Sequence, residues 1–319
     1  MNRLELLNTQ FNSQTTAVAE LAHVTQAPAD AILKLSIGYK ADKDPKKVNL
    51  GIGAYRCAKG KPYVFPVVRK AAQMIANNTS LDQEYSPIDG NQDFNKGARG
   101  VLFGWNHPDV TSGRVMSCQT LSGTGALRVI ADFLVKHRPA PIYVSDPTWG
   151  NHTGIFKTAG LEVRTYRYFD KKTMGLDFNG MIADLRKATP GSCVLLHTCA
   201  HNPTGVDPTL DQWKEIAKVC RENALYPFFD TAYQGFVSGD LDKDGVGLRY
   251  FVNQGFEMVI AQSFAKIMGL YGERTGALHF VTNDKSVATK VLSQVKIIVR
   301  ANYSSPPLYG ARIASIILN

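Results

Sequence analysis

No apolar run in this 319-residue chain approaches the ~18 residues that a membrane-spanning helix requires, so no transmembrane helix is expected. The stretch from Met1 to Thr16 lacks the apolar core of a secretory signal, carries Glu5, and reads only weakly as a transit peptide. A cytoplasmic location is therefore expected, with a processed mitochondrial form as the alternative. The five cysteines (Cys57, Cys118, Cys193, Cys199 and Cys220) are odd in number and lack the CxxC spacing of a zinc site. They read as reduced thiols of an intracellular protein, and no metal is expected. There is no internal repeat and no low-complexity tract. Net charge is +9, yet the lysines and arginines are dispersed, and their densest run, Lys43 to Lys47, is interrupted by Asp44. Without a basic stripe interleaved with aromatics, a nucleic-acid partner is not expected. A basic balance is compatible with acidic small substrates.

An apolar fraction of 44% is enough for a large core. From about residue 115 short β-rich runs alternate with amphipathic segments. Pro141–Ser145, Leu161–Tyr168, Cys193–His197, Tyr226–Phe229, Met258–Gln262 and Ala277–Val281 read as strands, and Leu127–Lys136 and Leu210–Glu222 as helices. This alternation predicts an α/β fold with a mainly parallel sheet flanked by helices, whose ligands bind beyond the carboxyl ends of the strands. Residues 1 to 15 read as an arm. A helix capped by Asp30 follows, and Val48 to Gly53 reads as a strand breaking into a glycine loop. Near the end, Leu308 to Leu318 has helical periodicity and stops at Asn319 with no basic last turn. So apolar a helix needs a packing partner, which suggests that the chain ends inside a structural element.

The most telling stretch is Ala261-Gln262-Ser263-Phe264-Ala265-Lys266, continuing to Arg274. A lysine following a buried strand loses solvation, which lowers its pKa and frees a nucleophilic amine. The hydroxyl of Ser263 and the guanidinium of Arg274 suit a phosphate dianion. An imine-forming lysine beside a phosphate site suggests pyridoxal phosphate. Ser122-Gly123-Thr124-Gly125 leads into a helix, whose N-terminus could add amide donors for the same phosphate. Asp230 ends an apolar strand and could pair with a pyridine nitrogen. Tyr233 and Asn202 could bond the ring oxygen, Trp149 could stack on the ring, and His152 and His197 could sit behind the aspartate. Each has an ordinary reading when taken singly: a solvated lysine, a turn or cap aspartate, a core tyrosine or tryptophan, a satisfied structural histidine.

Together, the segments VNLGIGAYR, SGTGALR, DPTWGNH, HNPTG, FFDTAYQGF, AQSFAKIMGLYGER and RANYSSPP resemble the aspartate aminotransferases, class I aminotransferases of fold-type I. The resemblance runs from about residue 5 to the last residue. It implies that Lys266 carries the cofactor and later moves the proton between substrate Cα and cofactor C4′. Asp230 would pair with the pyridinium, Asn202 and Tyr233 would bond its phenolate oxygen, and Ser122, Gly123, Thr124, Ser263 and Arg274 would hold the phosphate. Tyr85 would reach the phosphate of a neighbouring subunit in a homodimer with shared active sites. Gly53 and Trp149 would line the substrate site, and Arg300 would cross the interface to the side-chain carboxylate of a dicarboxylic amino acid or 2-oxo acid. The implied domains are an arm (1–15), the N-terminal part of a small α/β domain (16–62), and a large cofactor domain (63–319) ending within the interdomain helix. The small domain would be incomplete, since the family's second substrate arginine lies near a C-terminus with no counterpart here. The implied reaction is ping-pong transamination between aspartate and 2-oxoglutarate. The alternatives are an aromatic or broad-specificity aminotransferase, and a shortened chain that binds cofactor without turnover.

Overall fold

The computed structural model describes residues 20–28, 31–49, 51 and 53–319. It divides into two compact units, Met1–Gly53 and Ala54–Asn319. In the first, a helix spans Ala31–Ala41. The expected arm and the capping residue Asp30 lie outside the described residues. The strand expected at Val48–Gly53 is not formed by the described residues of that stretch. Instead the Asn49 side chain accepts the Gly51 N–H at 3.1 Å, and this local turn competes with extended pairing.

The second unit is built on a seven-stranded sheet in the order β1-β9-β8-β7-β6-β2-β3. The strands are β1 (Val115–Leu121), β2 (Ile142–Asp146), β3 (Val163–Arg167), β6 (Cys193–His197), β7 (Tyr226–Thr231), β8 (Met258–Ser263) and β9 (Thr275–Val281). A small hairpin, β4 (Phe169–Asp170) with β5 (Gly175–Leu176), stands apart. Every pairing in the large sheet is parallel except those of β9, which runs against both β1 and β8. The carboxyl ends of β1, β6, β7 and β8 therefore share one edge, and the start of β9 lies at that edge too.

Alternation along the strands divides the core. Val194, Leu196, Phe229, Met258 and Ile260 face one layer with Trp213, Ile216 and Phe251 from the helices Leu210–Glu222 and Val246–Asn253. Their neighbours Cys193, Leu195, Phe228, Val259 and Ala261 face the other layer. There they meet Ile130, Leu134 and Phe156 from the helices Ser122–His137 and Asn151–Ala159. Strands covered on both faces read as continuous apolar runs, as these do. The helix Tyr309–Leu318 packs Ala311, Ile313 and Ala314 against Val68, Phe94 and Phe264, which supplies the partner its apolar sequence demanded.

Candidate active site

At the end of β1 the chain turns sharply at Ser122, whose φ is +62°, and enters the helix Ser122–His137. Helix geometry leaves its first amides free of intrahelical partners, with a partial positive charge. The buried Ser122 Oγ lies 3.0 Å from Ser263 Oγ at the end of β8. The two strands approach because Gly276 of β9, between them, carries no side chain: a Cβ there would stand 2.5 Å from the Gln262 oxygen and 2.5 Å from the Ser122 carbonyl carbon. Gly123 makes room in the same way, since an added Cβ would come within 3.1 Å of Ser263 Cβ. Thr124 and Arg274 line the same end of the cleft. Arg274 sits just ahead of β9 with φ +51° and donates to the Tyr271 carbonyl at 3.1 Å.

Lys266 lies in a turn three residues beyond β8, half-buried, with its Nζ 5.9 Å from the centroid of the Tyr233 ring. Burial lowers its pKa, Arg274 pushes the same way, and Asp230 opposes both. Asp230, on β7, is raised by burial, yet its bond to His152 and the neighbouring His152, His197 and Lys266 outweigh this and hold it below the usual carboxylate value. Parallel register sets His197 beside Asp230. His197 Nδ1 accepts the Asn202 N–H at 3.1 Å, which puts the ring's hydrogen on Nε2, and that buried atom has no partner. Burial raises the Tyr233 pKa, and the nearby charge of Asp230 adds to it. Trp149 meets His152 edge-on at 5.2 Å. Ser122, Gly123, Thr124, Trp149, His197, Asn202, Asp230, Tyr233, Ser263, Lys266 and Arg274 all line one cleft; His152 stands behind Asp230.

The pattern of the family "Aminotransferase class I and II" matches residues 45–319. The chain belongs to this family. It is 54% identical over 298 residues to the cytoplasmic aspartate aminotransferase of Oryza sativa subsp. japonica, covering 93% of this chain and 73% of that one. Among solved structures it is similar to the aromatic-amino-acid aminotransferase of Burkholderia pseudomallei, covalently bound to pyridoxal phosphate, with TM-score 0.91 and 42% identity over 94% of this chain and 75% of that one. The broad specificity aminotransferase of Leishmania mexicana matches with TM-score 0.89 and 45% identity over 93% and 73%.

Pyridoxal phosphate is the cofactor of this aminotransferase, and the cleft fits it at both ends. Two hydroxyls, a helix N-terminus and a guanidinium converge where a phosphate dianion would lie. At the other end the Asp230 carboxylate, held below the usual carboxylate value, shares the cleft with Trp149, Lys266 and His197, whose buried Nε2 has no partner. Gly53 closes the first unit and is exposed. Two candidates of the second unit, Tyr85 and Arg300, do not line the cleft. Tyr85 is 83% exposed. Arg300, in the last turn of the helix Lys285–Asn302, is exposed and donates to Ser304 Oγ. Three further residues lie at or near the site. Cys199 lines the cleft with its thiol pKa raised by burial. Tyr271 accepts the Tyr55 N–H at 2.8 Å, and Asp207 clamps the turn bearing Asn202. All three have a sequence signal: Cys199 and Asp207 flank HNPTG by two residues each, and Tyr271 lies within AQSFAKIMGLYGER.

Proposed function

We propose that this aminotransferase exchanges the amino group of aspartate with 2-oxoglutarate, giving oxaloacetate and glutamate in two alternating half-reactions. The observation that carries the reading is the partly desolvated Lys266 amine, which shares one cleft with Asp230 and the Ser122–Ser263 hydroxyl pair. When bound, pyridoxal phosphate supplies an electron sink conjugated to the amino-acid Cα. Lys266, with its pKa lowered, holds more neutral amine near neutrality and could take the Cα proton and return it to cofactor C4′. Asp230 remains ionised and keeps the ring nitrogen protonated, while His152 fixes the carboxylate's direction. Tyr233 stays protonated and donates, with Asn202, to the ring oxygen. Ser122, Gly123, Thr124, Ser263 and Arg274 anchor the phosphate, so that bond changes at Cα do not release the cofactor.

Tyr85 and Arg300 act in the neighbouring subunit's site of a homodimer, which accounts for two exposed residues with suitable chemistry standing away from this cleft. Arg300 binds the side-chain carboxylate of aspartate or glutamate, and Gly53 and Trp149 are the further substrate-site candidates. In this reading residues 16–62 are the N-terminal part of a small domain and 63–319 the large cofactor domain, whereas compactness divides the chain after Gly53. The protein works in the cytoplasm, as the name of the rice relative suggests; among the described residues no helix is long and apolar enough to cross a membrane. The second reading, an aromatic or broad-range aminotransferase, draws on the two structural neighbours so described, at 42% and 45% identity.

Lys266→Ala is expected to lose the visible absorbance of lysine-bound cofactor and nearly all turnover; retained ping-pong transamination would refute the assignment. Comparing kcat/KM for aspartate and phenylalanine in wild type and Arg300→Leu separates the two readings. A loss confined to dicarboxylates supports the first.

A further inference from the structure

Three successive backbone N–H groups in the turn after β6 are all spoken for by side chains. Ala200 donates to Asp207 Oδ2 at 2.6 Å and His201 donates to Asp207 Oδ1 at 2.9 Å. The next amide, Asn202, donates to His197 Nδ1 at 3.1 Å. Consecutive amides converging in this way form a small anion-binding concavity, and here the chain fills it with its own carboxylate. Ala200 is held at φ +48°, which a residue with a Cβ adopts reluctantly, so the turn depends on outside contacts to keep its shape. The His201 ring braces the same turn: its Nε2 lies 2.8 Å from Ser145 Oγ, its Nδ1 2.8 Å from Thr204 Oγ1, and its face stacks on Tyr168 at 3.8 Å.

We infer that Asp207 is a positioning residue for the cofactor cleft: by locking this turn it aims the Asn202 N–H at His197 Nδ1, and so fixes His197 with its hydrogen on Nε2. The inference rests on the aminotransferase reading of the cleft. An imidazole nitrogen that accepts an N–H cannot carry a hydrogen itself. A neutral His197 must then present Nε2–H, the buried donor without a partner, beside Asp230. Burial with His201 and His152 nearby keeps the ring neutral, the charge of Asp230 opposing only in part. Asp207 does not line the cleft itself; it acts through the backbone, and the same turn sets where Asn202 stands.

The test uses the full chain with 15N-labelled histidine, first free of cofactor. In wild type the His197 signals should report a bare Nδ1 and a protonated Nε2. Asp207→Ala should mix the two tautomers. Asp207→Asn, which keeps one acceptor but sets an NH2 against the second amide, should fall between. In the loaded enzyme both variants should lower kcat by roughly 10- to 100-fold, the range for loss of a partner that orients a working group. They should also move the pH at which the visible cofactor band changes. Folded variants with a wild-type His197 tautomer and an unmoved pH profile overturn the inference. Failure of both variants to fold also overturns it, assigning Asp207 to fold maintenance alone. The cofactor-free measurement would be unaffected by an error in the assigned substrate, so the two failures are distinguishable.

Discussion

His152 donates its Nε2 hydrogen to Asp230 Oδ2 across 2.9 Å, joining the helix Asn151–Ala159 to β7. The direction is forced: a carboxylate only accepts, and Thr148 Oγ1, 2.8 Å from Nδ1, is free to donate there. This one bond turns Asp230 toward the cleft and helps keep it ionised despite burial. His152→Ala should leave the fold standing and lower kcat by about 10- to 100-fold, as loss of an orienting partner does elsewhere. Steady-state kinetics with a parallel thermal melt checks it. A variant with wild-type kcat would show that Asp230 needs no such support.

The contact between β1 and β8 at the phosphate end depends on a missing side chain. Gly276→Ala would force a Cβ to within 2.5 Å of two backbone atoms, neither of which has a flexible stem to yield. Overpacking of this kind costs about 1–3 kcal/mol. Because the strain falls on Ser122, cofactor affinity should drop along with the melting temperature. Calorimetry of the variant with and without pyridoxal phosphate measures both. A lowered melting temperature with unchanged cofactor affinity would show that the serine pair tolerates the shift.

Two buried histidines make the fold sensitive to acid. Burial depresses His201 to about 3, with His152 adding to it, and depresses His279, between β1 and β8, to about 3, with Arg99 adding. Ser117 and Gln262 flank the His279 ring nitrogens at 2.7 and 3.0 Å. Both histidines take up protons in the unfolded chain near the ordinary value of about 6.5. Stability is therefore unaffected by them above that pH, and falls progressively as pH drops from about 6.5 towards 3. Denaturant titrations across this range should show the slope. His279→Gln should flatten it in part, even where it lowers stability at pH 7.

Local patterning carried a large share of this reading. β6 and the helix Leu210–Glu222 match their expected bounds because a buried strand and an amphipathic helix announce themselves within a few residues. Lys266, Asp230 and Ser122 could be singled out because each stands at or just beyond the carboxyl end of a strand, and a parallel sheet gathers such ends at one edge. The Val48–Gly53 stretch misled because alternation there resembles a strand, while the Asn49 side chain claims the Gly51 amide.

What the amino-acid order determined by itself was which residues could do chemistry and which segments would be strands or helices, since those depend on neighbours a few positions away. Only the tertiary structure decided which groups meet. The Ser122–Ser263 hydroxyl pair spans 141 residues and Thr148–His152–Asp230 runs through two elements. The orphaned His197 N–H and the glycine that lets β1 and β8 close together exist only once the sheet has formed. The reason is physical: burial and hydrogen-bond direction, which set the protonation of Lys266 and Asp230, are properties of the packed surroundings and not of any single segment.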